Sequence, residues 1–115
     1  MVVHQWDIYT IDLNPVIGSE QGGFRPAIVV SSNLVNHLNQ VTILPITSIK
    51  KPDTFIYPNE VFLSKKDSRL SKDSIIMAHQ IRSVDKKRLT TFVSNLKDED
   101  LRLKIMAAEK FQLDI

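Results

Sequence analysis

Along most of this chain apolar and polar residues alternate in short blocks, the period of β-strands. Trp6–Leu13 predicts a first strand, closed by Asn14-Pro15. Arg25–Ser32 predicts a second, and its unbroken run Ala27-Ile28-Val29-Val30 predicts burial on both faces. Pro26 stands at its start, where a missing N–H is tolerated. Gln40–Thr47 predicts a third strand, Tyr57–Leu63 a fourth, Ser74–Val84 a long fifth and Arg88–Ser94 a sixth. The charged stretch Ser64–Lys72 has room for one helical turn. Only the C-terminal segment changes period: Leu101, Ile105, Ala108 and Phe111 recur at helical spacing with charges between them. Asp98, Glu99 and Asp100 crowd the first turn, where the helix dipole favours negative charge, so a helix is expected over Asp98–Phe111. The expected fold is mainly β with a C-terminal helix, a small and partly open barrel.

Between the first two strands lies Gly18–Pro26, GSEQGGFRP, a glycine-rich loop that empties into the buried strand. Loops held by a rigid scaffold are where chemistry is usually placed. Arg25 precedes a proline and is therefore restricted to extended geometry. Its planar fork suits a phosphate or carboxylate, and a structural salt bridge is the alternative. Glu20 shares the loop. It is a candidate general base, a partner for Arg25, or a solvated carboxylate. Gly22 and Gly23 supply backbone freedom for a loop that closes over a ligand.

The length of 115 residues predicts one domain over 1–115, and 43% hydrophobic residues suffice for one core. The apolar runs are too short to span a membrane, and no secretory leader is visible. There is no cysteine, which excludes disulfides and thiolate metal sites and fits a cytoplasmic protein. His4 and His37 lack companions at ligand spacing, so neither a metal nor a cofactor is expected. The net charge of +2 hides an uneven distribution: Lys50–Arg88 holds ten Lys or Arg against five Asp or Glu. Such a local excess attracts a polyanion or is an ordinary solvated surface.

Several motifs occur in a set order over nearly the whole chain: Asp7-Ile8-Tyr9, GSEQGGFRP into AIVVSSN, Pro45-Ile46-Thr47-Ser48, DSIIMAHQIRSVD at Asp73–Asp85 with Lys86–Leu89, and the terminal amphipathic helix. In this order they resemble the MazF/PemK toxins. The resemblance implies an SH3-like β-barrel that forms a homodimer. It also implies a sequence-specific endoribonuclease that cuts single-stranded mRNA without a metal, by attack of the RNA's own 2′-hydroxyl. The products would be a 2′,3′-cyclic phosphate and a 5′-hydroxyl. The implied partner is an antitoxin whose disordered tail blocks the RNA groove. By the same likeness Arg25 matches the catalytic arginine, and Thr47 matches a threonine whose hydroxyl contacts the scissile phosphate. The adjacent Ser48 is a substitute for it.

His79 departs from the family pattern, which often has an acid just before the glutamine of the QIR motif. An imidazole suits either proton transfer. Strict alternation, however, puts His79 on the face of Ile75, Met77 and Ile81, a half-buried strand position unless a bulge turns it outward. Gln80 and Arg82 share the opposite face and either bind RNA or brace the barrel. For Gln80 bracing is the preferred reading. Trp6 and Tyr57 are expected in the core, whereas Phe24 beside Arg25 is placed to stack on an unpaired base. Leu103, Met106 and Leu113 fall partly off the helical stripe and are candidates for a dimer or antitoxin contact. Two other functions remain open from the residues: a CcdB-like toxin that poisons gyrase, and a non-catalytic SH3-like binding module.

Overall fold

The structure is a computed structural model and describes residues 1–115. Seven strands form one sheet: β1 (Asp7–Asp12), β2 (Phe24–Val29), β3 (Gln40–Ser48), β4 (Glu60–Leu63), β5 (Ser74–Met77), β6 (Arg82–Asp85) and β7 (Leu89–Asn95). A single helical turn, α1 (Lys65–Ser68), follows β4, and α2 (Glu99–Leu113) ends the chain. The strand order is β4-β5-β3-β2-β1-β7, with β6 pairing β3 off this path. The strands at the two ends of that order do not pair with each other, so the sheet curls into a barrel that stays partly open.

Alternation sends successive residues of the central strands into two clusters, which is why β2 reads as an unbroken apolar run. Ile8, Ile28, Leu44 and Ile46 point into one cluster, which Ile105 and Ala108 of α2 complete. Their neighbours Tyr9, Ile11, Ala27, Val29, Val41 and Ile43 point into a second cluster, closed by Val84 and Leu89. β1–β3 are thus buried on both faces, and a register slip would exchange the two sets.

α2 starts where the acidic run predicts it. The Asp98 carboxylate caps it by accepting the Leu101 N–H at 2.9 Å. Its packing face differs from the predicted stripe: Ile105 and Ala108 are buried, but Phe111 is 62% exposed. Phe111 instead lines an open pocket between α2 and the chain around β4, with Ile56, Pro58 and Phe62. Tyr57 is likewise 59% exposed rather than in the core, because β4 begins only at Glu60. Its ring instead meets Phe55 edge-on at 4.8 Å.

The largest departure is in the predicted fifth strand. Ser74–Val84 is not continuous: β5 and β6 are separated by a 3₁₀ turn, Ala78–Gln80. Both strands run antiparallel to the same edge of β3, with Ile46 opposite Ile76 and Ile43 opposite Arg82. Leu44 and Pro45 therefore face the residues 77–81, and the surplus is taken up by the turn. Pro45 has no N–H to offer a ladder at this point. The turn is fixed by its own bond, Ile81 N–H to the Ala78 carbonyl at 3.2 Å, and by the Ala78 N–H donating to the Asn59 carbonyl at 3.0 Å. It also lies against α2.

Candidate active site

Arg25 is the second residue of β2, and its strand is aligned by a fixed register with β3, Ala27 opposite Pro45. Continuing that antiparallel register by two residues sets Arg25 across from Thr47, the penultimate residue of β3. Both line one pocket of about 390 Å³, with Ser48, Lys50, Ser71, Lys72 and Ser74 among the other walls. No carboxylate lines it. The half-buried guanidinium donates through Nε to the Gly22 carbonyl at 2.9 Å, which leaves its two terminal amino groups free. The chain has two salt bridges, His4–Asp7 and Arg102–Glu99, and neither involves Arg25. The structural salt bridge considered above is therefore absent. A cation tethered at one nitrogen, flanked by hydroxyls and two lysines and facing no acid, has the chemistry that suits an anion.

Glu20 is not the partner of Arg25. Its carboxylate accepts the Ile17 N–H at 2.9 Å, and its own N–H donates to the Ile17 carbonyl at 3.2 Å. The carboxylate therefore folds the loop back on itself while staying exposed. It lines a second pocket, of about 470 Å³, with Ser19, His79, Gln80, Ile81 and Arg82.

His79 sits here because of the 3₁₀ turn. The turn breaks the alternation, so Ala78 is buried and His79 is exposed. The half-buried strand histidine expected from periodicity is corrected accordingly, and Glu20 and His79 become walls of one pocket. The Gln80 side chain contacts the loop rather than the barrel: its carbonyl accepts the Gln21 N–H at 3.4 Å, which ties the glycine-rich loop to the turn. Four successive loop residues thus link the two pockets. Ser19 and Glu20 line the second, Gln21 binds the turn, and Gly22 holds Arg25. Glycine is favoured at position 23, whose φ is +75°, and at position 22 a Cβ would lie 1.9 Å from Cγ1 of the exposed Val16 side chain, which would have to move.

Phe24 is 67% exposed but lines neither pocket, and alternation along β2 aims it away from Arg25. Trp6 is buried as expected. The sequence reading did not single out Lys50, Lys72, Ser71 or Ser74 for the Arg25 pocket. The two lysines lie within the basic stretch Lys50–Arg88, but only the fold shows which of its ten cations turn inward. No group of three or more His, Asp or Glu side chains converges as a metal site would require. No helix is long and apolar enough to cross a membrane. The groups whose acidity is perturbed lie outside both pockets. Burial pushes Glu109 on α2 up to about 7, and burial followed by the nearby Asp7 charge raises Tyr9.

Residues 4–106 match the family model for the PemK-like, MazF-like toxin of type II toxin–antitoxin systems. The chain is 36% identical over 99 residues to Endoribonuclease EndoA of Bacillus subtilis (strain 168), covering 86% of this chain and 84% of that one. Among solved structures it superposes on MazF (Form-I) from Deinococcus radiodurans with a TM-score of 0.81 and 26% identity. That match covers 100% of this chain and 99% of that one. It is also similar to MazE-MazF (Form-II) from Deinococcus radiodurans, with a TM-score of 0.75, 26% identity and coverages of 100% and 98%. The fold alone is shared with an endoribonuclease in complex with its cognate antitoxin from Mycobacterial species. There the TM-score is 0.77 and the identity 21%, over 98% of this chain and 96% of that one.

Proposed function

Because the chain belongs to the PemK-like, MazF-like toxins of type II toxin–antitoxin systems, we propose that it is a sequence-specific endoribonuclease that cleaves single-stranded mRNA. The observation that carries this reading is the unpaired Arg25 guanidinium sharing a carboxylate-free pocket with the Thr47 hydroxyl. A phosphodiester in that pocket meets fixed positive charge and a hydroxyl donor, the groups that stabilise a pentacovalent phosphorus.

The reaction takes place within the substrate. The ribose 2′-oxygen loses its proton, attacks the adjacent phosphorus and forms the P–O bond of a 2′,3′-cyclic phosphate. The bond from phosphorus to the 5′-oxygen breaks, and that oxygen takes up a proton and leaves as a 5′-hydroxyl. Arg25 and Thr47 hold the charge that builds on the non-bridging oxygens, with Ser48 as a neighbouring donor. Glu20 and His79 carry the proton transfers, one as acceptor and one as donor. Gln80 holds the loop that joins them to Arg25, and Arg82 contacts the RNA from the second pocket. Phe24 stacks on a base outside both pockets.

Family membership and the antitoxin complexes of similar proteins support the further reading: a homodimer in the cytoplasm, held inactive by a cognate antitoxin whose disordered tail folds onto the RNA groove. No cofactor enters the chemistry proposed.

The test is cleavage of EDTA-treated, single-stranded RNA by the purified protein. Cuts at one short motif with 5′-hydroxyl ends are expected, and a single 2′-deoxy substitution at the cut site should block them. Undiminished cutting of the deoxy-substituted RNA, or inhibition of DNA supercoiling with no RNA cleavage, overturns the reading.

A further inference from the structure

The cations outside the Arg25 pocket are not scattered. β7 is an outer strand of the sheet, and two grooves run along its exposed side. One, of about 490 Å³, is lined by Lys66, Arg69 and Lys97, and the other, of about 660 Å³, is reached from Lys97 and His4. They share Phe92, Asn95 and Lys97 and so form one continuous trough.

Phe92 stands in the middle of the trough. It is 55% exposed and supported edge-on by the Tyr9 ring, with 5.6 Å between centroids and an angle of 76° between planes. A large aromatic left open on an outer strand, flanked by its cross-strand neighbour Tyr9 and sharing its grooves with Lys66, Arg69 and Lys97, is suited to stack a base beside phosphate-binding cations.

The cations are available. Lys66, Arg69 and Lys97 take part in no salt bridge. Asp67 and Asp98 also line the first groove, where its three cations leave an excess of one positive charge, and the carboxylates of the trough are held by local hydrogen bonds. Asp67 accepts the Ser64 hydroxyl at 3.0 Å, Asp98 caps α2, and the buried Asp7 accepts the side-chain N–H of Asn95 and the backbone N–H of His4, each at 2.8 Å.

The trough and the cleavage pocket share no lining residue, but consecutive residues of the chain line the two. Arg69 is locked in the left-handed region at φ 66° at the end of α1, with its N–H donating to the Lys65 carbonyl. The residues that follow it, Leu70, Ser71 and Lys72, line the Arg25 pocket. One short segment of chain therefore turns Lys72 toward Arg25 and turns Lys66 and Arg69 toward β7.

We propose that this trough is a second contact surface for single-stranded RNA. It holds nucleotides that flank the cut site, with Lys66, Arg69 and Lys97 on their phosphates and Phe92 stacked on a base. The inference rests on the endoribonuclease reading and extends it: the substrate is a long unpaired strand that runs from the Arg25 pocket over the segment 69–72 onto β7.

The experiment compares a minimal oligonucleotide holding only the cleavage motif with the same motif carrying long unpaired flanks. The full chain is used, as wild type, as the triple variant K66E/R69E/K97E and as Phe92→Ala. Wild type should show a KM for flanked RNA about tenfold or more below that for the minimal one, the gain expected from a few added phosphate contacts and one stacked base. The triple variant should lose that gain, and its salt slope for flanked RNA should fall by about two, given roughly 0.7 per phosphate on a single strand. Phe92→Ala should lose part of it and Phe92→Tyr should restore it, with kcat on the minimal oligonucleotide unchanged throughout. Equal KM values for the two RNAs in wild type, or an unchanged ratio in the triple variant, overturn the proposal. So does a triple variant that keeps flanked-RNA binding but loses an acidic polypeptide, since the trough would then serve a protein partner. Failure of the underlying reading looks different: wild type would cut neither RNA. Anisotropy of flanked RNA on the Arg25→Ala protein separates the two, because the trough binds RNA whether or not it is cut.

Discussion

The two pockets at the glycine-rich loop are built from different materials. The Arg25–Thr47 pocket stands on paired strands, where register places each side chain and the backbone is held by the ladders of β2 and β3. The Glu20–His79 pocket stands on a loop and a 3₁₀ turn, joined by one long hydrogen bond from Gln21 to Gln80. Charge stabilisation needs groups that do not reorganise as the reaction proceeds, and the sheet supplies that stiffness. Proton transfer needs heavy atoms brought within hydrogen-bond reach of a bound substrate, and an exposed loop is free to close onto it. On the proposed mechanism the fixed pocket stabilises charge and the adjustable one transfers protons.

The sharpest way to break this division is Arg25→Ala. Cleavage should fall by roughly a thousandfold, the upper range for loss of one preorganised donor. The melting temperature should fall by only about 3–6 °C, because the only hydrogen bond lost goes to Gly22, worth about 1 kcal/mol. A large drop in stability would instead make Arg25 a structural residue. Next comes Thr47→Val, which keeps the shape and removes the hydroxyl. Turnover should fall about a hundredfold, and Thr47→Ser should recover most of it.

Substitutions in the second pocket should cost less, since a mobile group leaves room for water to take its place. His79→Gln is expected to lower kcat by roughly ten- to a hundredfold with RNA affinity kept. Glu20→Gln should do the same, and the double variant should be no worse than the poorer single one if both serve the same proton path. Fully additive losses would mean that the two side chains act apart.

A control outside both pockets has the smallest effect on activity. Glu109 holds its proton in the folded protein up to about pH 7, whereas an unfolded glutamate releases it near 4.5. Between those values the native state binds more protons than the unfolded one, so stability falls as pH rises and levels off above 7. Glu109→Gln should flatten that slope and raise stability at pH 8 by roughly 1–2 kcal/mol after allowance for solvent screening, with cleavage unchanged. Thermal melts from pH 4 to 8 read it directly. An unaltered slope would show that the carboxyl is better solvated than its packing suggests.

Much of the fold was legible because it depends on local pattern. The alternation of Trp6–Leu13 and Gln40–Thr47 and the acidic cap at Asp98 each point to one element, and each is found within a few residues of its expected place. Arg25 was legible as a candidate too, through its position after a glycine-rich loop and before Pro26, while a structural salt bridge stayed open until the fold was in hand. His79 was misread because alternation assumes an uninterrupted strand, and nothing local in AHQ announces a 3₁₀ turn. Phe111 and Tyr57 were misread for a related reason: apolar spacing marks a face, but burial also requires something on the other side.

The residues alone decided that strands would dominate, that β2 would be buried on both faces, and that a guanidinium would stand at its mouth. These follow from periods of two and from the stiffness of a pre-proline bond, which act within a few residues. Only the tertiary structure decided which groups meet Arg25, why His79 faces out, and that Lys72 and Arg69 turn toward different grooves. Those outcomes depend on β3 holding β2 on one edge and both β5 and β6 on the other, over long distances in sequence. A local pattern carries no record of that pairing.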